Sequence, residues 1–160
     1  MIQRIQTVFL FLVVVAMGVT IGLPLWVQTL TGSGTQDSWN LTAFTLSNLN
    51  PEGEVIQSSS KWYIGALASF AGLLALVSIF QYANRTRQMM FNMVNSLVMV
   101  VLVAAIFLTT NGVNTEIGAQ TNGAYQPGFW SVLVAMVCNM LANRFIRKDE
   151  MLVRSVDRIR

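Results

Sequence analysis

The side chains best placed to do chemistry in this 160-residue chain are four carboxamides, Asn92, Asn95, Asn139 and Asn143, each set inside an otherwise apolar run. A carboxamide donates and accepts hydrogen bonds but does not titrate, so its chemistry is binding rather than proton transfer. On a helix, Asn92, Asn95 and Ser96 share a face with Met99, and Asn139 and Asn143 are i,i+4 neighbours. If the two runs are antiparallel helices, Asn92 and Asn143 lie within about 5 Å of one pair of ends, and Asn95 and Asn139 roughly 10 Å in. The expected register therefore sets Asn95 against Asn139 and Asn92 against Asn143, each bond contributing about 0.6 to 2 kcal/mol. Structural glue is the commoner use of membrane asparagines, and a ligand site is the alternative.

Other reactive constellations are missing. Histidine is absent, which removes the commonest general base and the commonest metal ligand together. The single cysteine, Cys138, cannot form a disulfide within the monomer. No phosphate-binding glycine loop, zinc-ligand spacing or nucleophile elbow occurs. One charge at the centre of a membrane helix costs about 2.5 to 3.5 kcal/mol, and the long apolar runs carry none at depth. The sequence therefore points to a non-enzyme with no cofactor and no metal. Met89, Met90, Met93, Met99, Met136 and Met140 gather toward the same half as the asparagines, where flexible thioethers can fill a core or form an adaptable partner surface.

The elements that must position these residues are membrane spans. With 54% hydrophobic residues against 11% charged, the chain is too apolar for an ordinary soluble fold. The pI near 9.5 could indicate nucleic acid, but nine of the ten basic residues border apolar runs, which argues for a membrane surface and against nucleic acid. Four spans are predicted, at about 7–27, 62–81, 91–108 and 128–145. The first is long for a signal-peptide core and has no Ala-x-Ala site after it. Between spans two and three, residues 82–90 form a short turn carrying Arg85 and Arg87. Short basic loops are retained in the cytoplasm, so this turn and both chain ends are expected there. Only Lys61 then falls outside among the basic residues.

Residues 28–61 and 109–127 become outer loops. The first is polar and holds two short β-type stretches, 39–46 and 54–58, around the turn-forming segment Asn48-Leu49-Asn50-Pro51-Glu52-Gly53. The second carries Thr121-Asn122-Gly123, a hairpin signal between Ile117 and Tyr125, and could pair with the first as a small cap. Gly18 and Gly22 make a small-xxx-small pair in span one, and Gly65, Ala68, Gly72 and Ala75 line one face of span two. Residues 146–160 form a cytoplasmic tail, read as a short amphipathic helix with Leu152, Val156 and Ile159 on its apolar side. The expected fold is an all-α membrane protein of one domain: a four-transmembrane-helix bundle with small outer loops.

The two ends carry a resemblance. The opening Met1-Ile2-Gln3-Arg4-Ile5-Gln6-Thr7 and the closing Leu152-Val153-Arg154-Ser155-Val156-Asp157-Arg158-Ile159-Arg160 resemble a family of small four-span bacterial membrane proteins, domain of unknown function four-two-nine-three. That family pattern has a small residue where Val156 stands and Leu where Ile159 stands, which leaves the arginines and Asp157 in place. The resemblance implies a bacterial inner-membrane location and supplies no activity. In gross layout alone, the chain also resembles barrier proteins of the claudin type, but their outer-loop cysteine pair is missing. Because both resembling ends fall on one side, Arg4, Arg154, Asp157 and Arg158 are the expected partner- or lipid-binding set. The expected role is an accessory or scaffold subunit of a larger membrane complex, with lipids and other integral membrane subunits as partners. The alternative is a small transport or lipid-handling protein acting as an oligomer. The partner's identity, the oligomeric state and any transported species are not written in the sequence.

Overall fold

A computed structural model describes residues 5–32, 35–82, 84–119 and 121–157. Four helices, α1 (Ile5–Gly22), α2 (Trp62–Phe80), α3 (Arg85–Glu116) and α4 (Pro127–Asp157), form a ring in which each packs on its sequence neighbours and α4 closes on α1. All four are long and apolar enough to cross a membrane. Only 28% to 39% of each apolar window is buried, and the rest presents bare side chains such as Phe11, Phe70, Leu73, Leu97 and Val134. Small residues turn inward instead: Ala16, Ala68, Ala71, Ala75, Ala135 and Ala142 are buried. Bulk outside and small residues inside suit a lipid solvent, where helices associate by close packing rather than by escaping water.

The all-α expectation is overturned by a five-stranded antiparallel sheet that caps one end of the bundle. Strands β1 (Trp26–Gly32), β2 (Thr35–Leu41), β3 (Thr45–Leu49), β4 (Val55–Ser60) and β5 (Ala124–Tyr125) lie in the order β4-β3-β2-β1-β5. The first loop thus supplies four strands, and the second completes the sheet by pairing β5 with β1, Trp26 opposite Tyr125. The physical reason is an inward face. Leu25, Trp26, Leu41 and Leu46 are buried against the helix ends, so the loop has enough apolar surface to fold as a layer of its own. Gly53, at φ +82°, turns β3 into β4, and the Asn50 side-chain oxygen accepts from the Glu54 N–H at 2.8 Å. The hairpin expected from Ile117 to Tyr125 does not form, because Ile117 caps α3 and β5 crosses to β1 instead.

Backbone bonds lock the layers together. Lys61 N–H donates to Phe44 O and Gly65 N–H to Ala43 O, both at 2.7 Å, while Gln126 N–H donates to Leu25 O at 2.9 Å. At Gly65 a Cβ would overlap the Phe44 ring, so this glycine serves the sheet contact rather than a helix seam. Gly72 does face a helix, with Met17 Cβ 3.5 Å from where its own Cβ would stand. Gly18 and Gly22 have open space around them within the chain.

Two helices exceed their expected limits. The α3 helix starts at Arg85, where Asn84 caps it by accepting from the Arg87 N–H, so the connecting turn is shorter than 82–90. At its far end α3 continues past the expected span limit at 108 and ends at Glu116, with Ile117 as its cap and Gly118, φ +61°, directly after it. The separate amphipathic tail helix is likewise replaced. No Gly or Pro interrupts residues 129–157, and α4 runs on through them to Asp157.

Candidate functional site

The polar side chains expected to matter converge at the end of the bundle opposite the sheet. Three helices build the cluster. Ser78 on α2 donates to the Asn92 side-chain oxygen at 2.7 Å, and Gln88 Nε2 on α3 donates to the Ser78 carbonyl at 3.0 Å. From α4, Asn139 Nδ2 donates to the Asn92 carbonyl at 2.9 Å and to Ser96 Oγ at 2.8 Å. Ser78, Gln88, Asn92, Asn95 and Asn139 are all buried. They are fully removed from lipid, which is where interhelical carboxamides hold a bundle in register.

The partners differ from the expected register. Asn139 meets the Asn92 carbonyl and the Ser96 hydroxyl, which flank Asn95 along α3, rather than the Asn95 side chain. Asn95 is fully buried, and neither of its amide atoms has a hydrogen-bond partner among the described residues. Asn143 lines a groove, and its side-chain oxygen is buried with no hydrogen-bond partner among the described residues. Sequence reasoning missed Ser78, Gln88 and Gln6 as members of the polar core. Gln6 is buried in the first turn of α1, and its side-chain oxygen also lacks a partner among the described residues. Their signal was available as isolated polar residues at the ends of apolar runs, but a span boundary and a buried polar site look alike until the helices are packed.

The groove beside Asn143 measures about 530 Å³ and runs between the start of α3 and the extension of α4. Met89, Met90, Met93 and Met151 line it, with Arg147 and Glu150 at its rim. Met90, Met93 and Met151 are 58%, 63% and 65% exposed. Arg85 Nη1 donates to the Asp149 carbonyl at 2.7 Å and so ties the two helices at the groove's end. Of the basic set expected to bind partners, Arg4 and Arg158 lie outside the described residues. Arg154 and Asp157 lie on the last turns of α4, and their side chains are likewise outside the described set. No group of three His, Cys, Asp or Glu residues is arranged to hold a metal among the described residues.

A family model described as Domain of unknown function (DUF4293) matches residues 2–159. The chain belongs to that family. The DUF4293 match spans the residues of both the helical bundle and the sheet. Among proteins of curated function, none matches the chain.

Proposed function

We propose that this DUF4293 chain is a non-catalytic accessory or scaffold subunit of a larger complex in a bacterial inner membrane, docking its partner through the methionine-lined groove. The groove is the observation that carries this reading. Unbranched thioethers repack at low cost against a partner's side chains, and exposed methionine clusters are a recurrent means of adaptable recognition. Orientation follows from charge. Arg85, Arg87, Arg144, Arg147 and Lys148 lie at the groove end and Lys61 at the sheet end, a charge bias that supports a cytoplasmic groove end with both chain termini on that side. Placing a photo-crosslinking amino acid at Met90 in intact membranes tests the docking. Discrete protein adducts at Met90 that are missing at Leu73, on the outer face of α2, are the expected result. Lipid adducts alone at both positions, with the protein recovered alone in mild detergent, would refute it.

The unpartnered amide of Asn95 and the unpartnered side-chain oxygens of Gln6, Gln88 and Asn139 favour a second reading, a small transport or lipid-handling oligomer whose polar core holds a solute. Flux through reconstituted vesicles that is lost in Asn95→Leu would support it, and absence of flux would remove it.

A further inference from the structure

At the sheet end, a second concavity of about 580 Å³ opens where β4 and the start of α2 meet the upper turns of α3. Its two walls carry opposite charge. Gln57, Ser59 and Lys61 form one wall, and Thr109, Gly112 and Glu116, spaced along one face of α3, form the other. Its depth can be read from the aromatic residues. Trp62 and Trp130 are 66% and 57% exposed at the heads of α2 and α4, where tryptophan marks a membrane–water boundary. Tyr63 Oη lies 2.7 Å from Thr109 Oγ1, which sets Thr109 at that same level. Leu108, 71% exposed, therefore meets acyl chains at the cleft's lower edge, and Glu116 stands roughly 10 Å beyond Thr109 by helical rise. Lys61, directly before Trp62, sits near the boundary itself.

This order matches a phospholipid from tail to head. The headgroup layer occupies about 5 to 8 Å on each side of the hydrocarbon, so the Glu116 backbone stands at its outer margin, on the water side of the phosphates. We infer that the cleft binds an ethanolamine phospholipid, its phosphate at the Lys61 ammonium and its primary ammonium at the Glu116 carboxylate, with acyl chains along Leu108. A glycerol headgroup offers Glu116 no cation. A choline headgroup offers one with no N–H to donate, and a serine headgroup adds a carboxylate that Glu116 repels. The site is separate from the methionine groove and does not depend on which side of the membrane the sheet occupies.

The test uses the purified full chain in detergent micelles, titrated with dioctanoyl phosphatidylethanolamine, phosphatidylglycerol and phosphatidylcholine, with bound lipid counted by native mass spectrometry. The ethanolamine lipid is expected to bind about tenfold more tightly than the glycerol lipid, the ratio one charge-assisted contact supplies. Glu116→Gln should erase that preference while leaving phosphatidylglycerol binding unchanged, and Lys61→Gln should weaken both lipids. Gly112→Trp fills the cleft from a position with open space around its Cβ, so it should abolish binding without changing the melting temperature. Equal affinity for the ethanolamine and glycerol lipids would overturn the inference. So would a preference that survives Glu116→Gln, binding that survives Gly112→Trp, or a second polypeptide cross-linked into the cleft in place of lipid.

Discussion

Asn95 and Asn139 offer a matched comparison, because both are fully buried, both lie mid-helix, and truncating either to alanine deletes the same atoms. The packing cost of the hole is therefore similar and cancels in the difference. Asn139→Ala removes two donated bonds, to Asn92 O and Ser96 Oγ, at about 0.6 kcal/mol each for interhelical bonds in a bilayer. It also removes one unpartnered buried oxygen, whereas Asn95→Ala removes two unpartnered atoms and no bond. Each buried polar atom left without a partner costs about 1 to 3 kcal/mol. Two lost bonds plus one fewer relieved atom make Asn139→Ala less stable than Asn95→Ala by about 2 to 4 kcal/mol. The assay is reversible unfolding in mixed detergent micelles, followed by helical circular dichroism. Equal losses, or a greater loss at Asn95, would refute the reasoning and show that Asn95 holds a polar partner that the chain itself does not supply.

Glycine positions give three further tests in the same assay. Gly128→Ala would bring a Cβ to 2.7 Å from Pro24 O and 2.8 Å from Leu23 O, and backbone cannot step aside, so about 1 to 3 kcal/mol should be lost. Gly123→Ala combines a φ of +65° with a Cβ 2.7 Å from Trp26 Nε1. It should cost about 2 to 4 kcal/mol and shift tryptophan fluorescence as the Trp26 bond to Asn122 O breaks. Gly18→Ala, on an open helix face, should change stability by no more than about 0.5 kcal/mol, and a larger loss would reveal a helix from another chain packed there.

Local chemistry made several features legible. Gly53 and Asn50 form the turn that their types favour, and the long runs free of charge became helices because a backbone in lipid must bond to itself. Asn92 and Asn139 were legible as interhelical groups, since carboxamides on facing helices have few other uses. Their register was not. A small rotation of a helix about its axis changes no local propensity, yet it decides whether Asn139 meets Asn95 or the flanking Asn92 carbonyl and Ser96 hydroxyl. The extent of α4 was misjudged for a related reason: an amphipathic segment reads the same whether it lies along a surface or continues a helix above it.

What the sequence determined by itself was the number of helices long and apolar enough to cross a membrane, their neutral interiors and the end of the bundle that is basic, because each follows from composition within about 20 residues of chain. What only the tertiary structure decided was whether the polar loops fold. Trp26 and Leu41 lie 15 positions apart, and Trp26 pairs with Tyr125 across nearly a hundred residues. Each strand alone has too little apolar surface to persist. The sheet exists because the helix ends present a floor on which Leu25, Trp26, Leu41 and Leu46 can be buried together, and that floor appears only once the bundle has formed.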